Sequence, residues 1–139
     1  MRALILAAAS LATLATFGVA HAKSGKVMLS TSLTGGAETP PNAETATGKF
    51  TATLLPAKGQ LCYTLTSEHL SGLTMAHIHV GDPGVGGPPV VTLMPDMPKR
   101  HCMMVDKDVA AKIAASPASY YVNIHTSALP KGAIRGQLQ

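Results

Sequence analysis

Residues 48–65 read GKFTATLLPAKGQLCYTL. Apolar and polar residues alternate on both sides of the segment Pro56-Ala57-Lys58-Gly59. Alternate side chains of a β-strand point to opposite faces, so this period of two is typical of half-buried strands. Proline and glycine favour a turn between them. The segment therefore predicts a β-hairpin, whose inward residues are Phe50, Ala52 and Leu54 on one strand and Leu61, Tyr63 and Leu65 on the other.

The same alternation recurs on both sides of the hairpin. It predicts further strands at about 27–33, 73–80, 90–93, 101–105, 120–126 and 133–138. One segment breaks the pattern, because Asp106 is a good helix N-cap and apolar residues follow at helical spacing until Pro117. We therefore expect an all-β domain, an antiparallel sandwich or small Greek-key barrel of seven to eight strands with one short helix.

The first 22 residues predict a signal peptide. Arg2 supplies a positive start, residues 3–20 are almost entirely apolar or small, and Ala20-His21-Ala22 matches the small-x-small cleavage pattern. A membrane anchor of about 20 residues is the alternative. The run is rich in Ala, Ser and Thr rather than Leu and Ile, which favours cleavage after Ala22. We expect residues 23–139 to form one periplasmic or secreted domain.

Charge and hydropathy argue against nucleic-acid binding and against a membrane span in the mature chain. The net charge is +4, of which Arg2 contributes one, and Lys99-Arg100 is the longest basic run. No basic stripe alternates with aromatic residues, so nucleic-acid binding has little support. No second long apolar segment follows the leader, so we expect no membrane span after its removal.

Two cysteines, Cys62 and Cys102, lie in the mature chain. An exported chain meets an oxidising compartment, where an even number of cysteines usually pairs. A bridge between them would close a loop of about 40 residues and contribute roughly 3–4 kcal/mol to the stability of the folded state in the chain-entropy model. The alternative is that both are metal ligands, but only His101 lies near either one at a suitable spacing. We expect a Cys62–Cys102 disulfide.

Three histidines are the most informative group for chemistry. In the strand predicted at 73–80, His77 and His79 share the outward face. In the strand at 120–126, Asn123 and His125 also point outward. If these strands are neighbours, three imidazoles converge, and three histidines with an open fourth position suit copper or zinc.

Several residues could complete such a site. A fourth nitrogen could come from His101 or His69, and Met75 would suit copper(I). Asp82 could orient a histidine, as Asn123 could, although Asp82 is as well explained by a turn. Arg135 could attract an anion, but a salt bridge or loop anchor is the favoured interpretation. The histidines have a non-metal alternative too, as polar residues of a wet face or as partners of a carbonyl in the glycine-rich loop after Val80.

Motifs for other chemistry are missing from the sequence. No serine lies in a Gly-x-Ser-x-Gly elbow, and the acidic residues show no paired spacing on a strand face. The glycine-rich segment 81–87 lacks the lysine and the strand–loop–helix context of a phosphate-binding loop. We interpret it as a turn and expect no catalytic residue.

Four ordered motifs resemble the CHRD domain, the repeat first described in the developmental antagonist chordin. They cover essentially the whole mature chain. The resemblance implies an extracellular β-domain that bacteria also secrete as a stand-alone protein, and it implies no general activity. The motifs are residues 33–41 with 46–48, residues 76–81 with Gly87-Pro88, residues 121–126, and residues 132–138.

The chain also shows a weaker likeness to copper/zinc superoxide dismutase, which places a His-x-His strand and a late histidine outside a β-barrel. It departs from that pattern because no histidine lies between His79 and His101, so a separate zinc subsite has no ligands. Our leading hypothesis is a secreted, non-catalytic binding module with a three-histidine copper or zinc site, whose partner is unknown and could be an extracellular protein. The alternatives are a copper-dependent redox enzyme of dismutase type and a purely structural envelope or matrix protein.

Overall fold

The computed structural model describes residues 25–139. The predicted signal peptide and its cleavage point lie outside these residues. Eight strands and one α-helix follow in chain order: β1 Val27–Thr34, β2 Thr47–Leu55, β3 Gln60–Glu68, β4 Leu73–Val80, β5 Pro89–Leu93, β6 Met97–Met104, α1 Lys107–Ala115, β7 Tyr120–Thr126 and β8 Ile134–Gln137.

All eight strands belong to one antiparallel sheet, in the spatial order β5-β4-β7-β8-β1-β2-β3-β6. The sheet curls into a half-barrel, so residues of distant strands share one hydrophobic core. The side facing this core is called the core face below, and the other side the outer face. The predicted all-β class with one short helix is confirmed.

The hairpin at 48–65 forms as the alternation predicts. Phe50 lies opposite Leu65 and Leu54 opposite Leu61, and all four side chains are buried. A 3₁₀ turn at Pro56–Lys58 ends at Gly59, whose φ of 62° lies in the left-handed region that favours glycine. This residue lets the chain reverse between β2 and β3.

The helix begins and ends where capping chemistry places it. The Asp106 carboxylate accepts hydrogen bonds from the backbone N–H groups of Asp108 and Val109, which have no partner within the helix. Ala110 and Ile113 pack into the core, and Pro117 begins the turn that follows. The predicted N-cap is confirmed.

The disulfide joins β3 to the edge strand β6. Cys62 and Cys102 lie directly opposite each other in the register of these two strands, and their sulfurs are bonded. The predicted pairing is therefore confirmed. Strand β6 itself begins four residues earlier than the sequence indicated, at Met97 rather than at His101.

No helix within residues 25–139 has both the length and the apolar character needed to cross a bilayer.

Candidate metal site

Strands β4 and β7 are neighbours, although their histidines are far apart in the chain. Their antiparallel register places Met75 opposite His125 and His77 opposite Asn123. Residues opposite each other in a sheet share a face, and Ala76 and Ile78 fill the core face between them. His77, His79 and His125 therefore lie together on the outer face.

The three imidazoles form a close cluster. Each can offer one ring nitrogen such that the three atoms lie within 4.8 Å of one another. His77 Nδ1 is 3.1 Å from His125 Nε2, close to the separation of about 3.3 Å between two nitrogens on one tetrahedral zinc ion. Closing all three around one ion therefore takes a movement of at most about 1.5 Å.

Backbone carbonyl groups fix two of the three rings. His79 Nδ1 lies 2.8 Å from the Gly87 oxygen, and His125 Nδ1 lies 3.1 Å from the Pro130 oxygen. A carbonyl oxygen only accepts, so each Nδ1 carries the proton and each Nε2 keeps a lone pair. Metal-binding histidines are held in this way in other proteins, with the second ring N–H on a carbonyl or carboxylate.

His79 Nε2 is available as a ligand atom. The atom is buried and has no hydrogen-bond partner. Asn123 Oδ1 and Glu38 Oε1 are also buried without a hydrogen-bond partner. Buried polar atoms are nearly always satisfied, so an ion or a water next to His79 Nε2 would be stabilised.

The ring of His79 is also held from its side. It stacks on Tyr121, with ring centroids 4.8 Å apart and planes tilted by only 7°. The Arg135 guanidinium carbon lies 3.4 Å from the centroid of the same tyrosine ring. Strands β4 and β8 flank β7, so His79 and Arg135 approach Tyr121 from opposite sides.

The surroundings of His77 and His79 favour uncharged imidazoles. Burial lowers the pKa of His77, and repulsion from His125 and His79 lowers it further. Burial also lowers the pKa of His79; the Gly87 hydrogen bond opposes this, and repulsion from His125 adds to it. A neutral imidazole is the form that binds a metal, so these two shifts are in the direction that favours metal binding.

The other predicted residues take different places. His101 lies opposite Tyr63 on the core face, with ring centroids 5.7 Å apart, so it is on the wrong side of the sheet to join the cluster. His69 is exposed in the turn after β3 and is not part of the cluster. The Asp82 carboxylate orients no histidine; its side chain is exposed and its backbone oxygen accepts from Arg135.

Arg135 anchors loops, which was the favoured interpretation of the sequence. Its guanidinium donates to the carbonyl oxygens of Asp82 and Val85 and to the Thr39 hydroxyl. These bonds fold the glycine-rich loop over the outer face and leave the arginine 2% exposed. The outward face of β7 and β8 is consequently buried, whereas the alternation alone suggested that this face would contact solvent.

The sequence did not single out Tyr121, Glu38 or the Pro130 carbonyl. Tyr121 could have been found, because it is two residues before Asn123 and so shares its face. A backbone carbonyl has no sequence signal. Glu38 is only 7% exposed and borders a cavity of about 310 Å³ that is also lined by Arg135, and none of the three histidines lines it.

Fold and cluster together define a small antiparallel β-domain with a three-imidazole group on its outer face. Comparison with known families agrees with the motifs, since the model of the CHRD domain matches residues 29–138. The chain belongs to the CHRD domain family. No curated protein and no solved structure matches it.

Proposed function

We propose that this chain is an exported, non-catalytic CHRD-domain protein that binds one copper or zinc ion through His77, His79 and His125. The observation that carries the proposal is the convergence of the three imidazoles, in which one ring nitrogen of each lies within 4.8 Å of the others and two Nδ1 atoms are held by carbonyls. Nitrogen ligands of this kind suit both ions. Export follows from the predicted leader, and the disulfide is consistent with it.

When no ion is bound, His77 donates a hydrogen bond to His125. His125 Nε2 carries a lone pair, so His77 Nδ1 donates a proton to it across 3.1 Å. To bind an ion at Nδ1, His77 must move this proton to Nε2. The ring is half-buried, so this exchange breaks one hydrogen bond and exposes no buried charge.

Metal analysis tests the proposal. Mature protein exposed to Cu(II) or Zn(II) and then desalted should retain about one ion per chain. His77→Gln and His125→Gln should lose it, because two imidazoles no longer hold the ion tightly. His101→Gln, which removes a histidine from the core face, is the matched control and should keep the ion.

Circular dichroism of each variant shows whether it still folds. A folded wild-type protein that stays metal-free at micromolar copper and zinc would contradict the proposal. Full retention of the ion by His77→Gln would contradict it as well.

A further inference from the structure

We propose that Met75 is the fourth ligand of this site and that the ion it holds is copper(I). This inference rests on the proposed function, because it assigns the ion and the remaining coordination position of the same histidine cluster.

The register of the sheet brings the thioether to the histidines. Met75 precedes His77 by two residues on β4, so both side chains leave the outer face. On the neighbouring strand Met75 lies directly opposite His125. Directly opposed residues have Cβ atoms about 4.5–5.5 Å apart, which a long unbranched side chain spans easily.

Packing does not explain Met75. The side chain is 48% exposed, although its neighbours on the core face, such as Ala76, are fully buried. It stands on the side of the cluster where His77 is only half-buried. The cluster is therefore enclosed by loops at His79 and His125, and Met75 lies in the sheet next to its least buried member, His77.

The donor set selects for a soft ion. Thioether and thiolate sulfur favour copper(I), whereas zinc is held by imidazole, thiolate and carboxylate. The chain has only two cysteines, and both are used in the disulfide. Methionine is thus the only residue type that can offer soft sulfur here, and Met75 is the one in register with the histidines.

Four protein ligands would also close the coordination sphere. Closed sites hold an ion, whereas catalytic sites keep a position for substrate or water. Copper(I) would bind in the oxidation state in which it is supplied, so no oxidation or reduction is needed. Three imidazoles and one thioether are all neutral ligands, so His77 would only exchange its Nδ1 proton for one at Nε2. Such a site suits the storage or transfer of copper.

Competition with a chromogenic copper(I) chelator under anaerobic conditions tests this. We expect Met75→Leu, which keeps the volume and the apolar character, to weaken copper(I) binding at least tenfold. Zinc(II) affinity, measured by calorimetry on the same protein, should change less than twofold. Met28→Leu is the matched control, since Met28 is 61% exposed on β1, three strands away from β4.

The outcomes separate the two proposals. Equal copper(I) affinity in Met75→Leu and wild type, with the ion still bound, would remove Met75 from the site and leave the three-histidine proposal intact. A parallel loss of zinc affinity would show that Met75 acts through packing, which also overturns the assignment. Wild-type protein that binds neither ion would refute the proposed function itself.

Discussion

At the scale of single residues, the chemistry depends on which ring nitrogen of each histidine is free. The sequence could place His77, His79 and His125 on one face, because alternation along a strand is a local property. As the non-metal alternative it raised a loop carbonyl as a partner for a histidine, and the Gly87 oxygen is such a partner at His79. It could not predict the Pro130 carbonyl, since any backbone oxygen can accept and only the fold selects one.

Glu38 is the buried residue whose charge should affect stability most clearly. Burial raises its pKa, while Arg135, the Thr39 backbone and Asn123 partly offset the effect. Above a pH of about 4.5, the usual value, an unfolded chain loses this proton before the folded one does. The folded state therefore becomes progressively less favoured at this position as the pH rises towards the raised pKa of Glu38.

A neutral isostere should remove this penalty. The melting temperature of Glu38→Gln minus that of wild type should increase as the pH rises from 4 to 7. Glu68→Gln removes the same charge from an exposed position and controls for net charge. A difference between Glu38→Gln and wild type that stays constant with pH, or that changes in the opposite direction, would show that Glu38 is not held in an unfavourable charged state.

At the scale of elements, the strands were predictable and the loops were not. Alternation located seven of the strands closely, but it missed the first half of β6, which contains Pro98, Lys99 and Arg100. β6 is an edge strand, and edge strands tolerate proline and charged residues. The sequence predicted a simple turn after Val80, yet this loop covers the outer face and its Gly87 carbonyl orients His79. The position of the loop depends on hydrogen bonds from Arg135, which is far away in the chain.

Two adjacent glycines test the role of that loop. A Cβ on Gly87 would collide with the carbonyl oxygen of Val80, whereas a Cβ on Gly86 would meet nothing within 4 Å. Gly87→Ala should therefore displace the carbonyl that holds His79 and weaken metal binding about 10- to 100-fold, the usual cost of losing such a partner. Gly86→Ala should leave the affinity unchanged.

Calorimetric titration with zinc(II) measures both variants. Equal affinities in Gly87→Ala and Gly86→Ala would show that the Gly87 carbonyl does not position the ring of His79.

At the scale of the whole molecule, the sheet order creates the site. Strands β4 and β7 are separated in the chain by β5, β6 and the helix, and nothing in the local pattern requires them to pair. The sequence therefore predicted the cluster only on the condition that they are neighbours, and the structure supplies that condition. The burial of His79, His125 and Arg135 also depends on the whole fold, because these residues lie where two loops fold over three strands.

An ion at this site would join parts of the chain that fold from distant positions. His77 and His125 are 48 residues apart, so a shared ion would add a cross-link between β4 and β7 besides the backbone pairing. A ligand that binds only the folded state stabilises it by about 2.7 kcal/mol at a hundredfold excess over its Kd.

X-ray absorption at the zinc edge of zinc-loaded wild-type protein tests the claim that three imidazoles of this sheet hold one ion. We predict a first shell that includes three nitrogens at about 2.0–2.1 Å, with the outer-shell scattering of imidazole rings. A first shell of oxygen ligands without imidazole scattering would contradict the claim, because the ion would then be bound elsewhere on the protein.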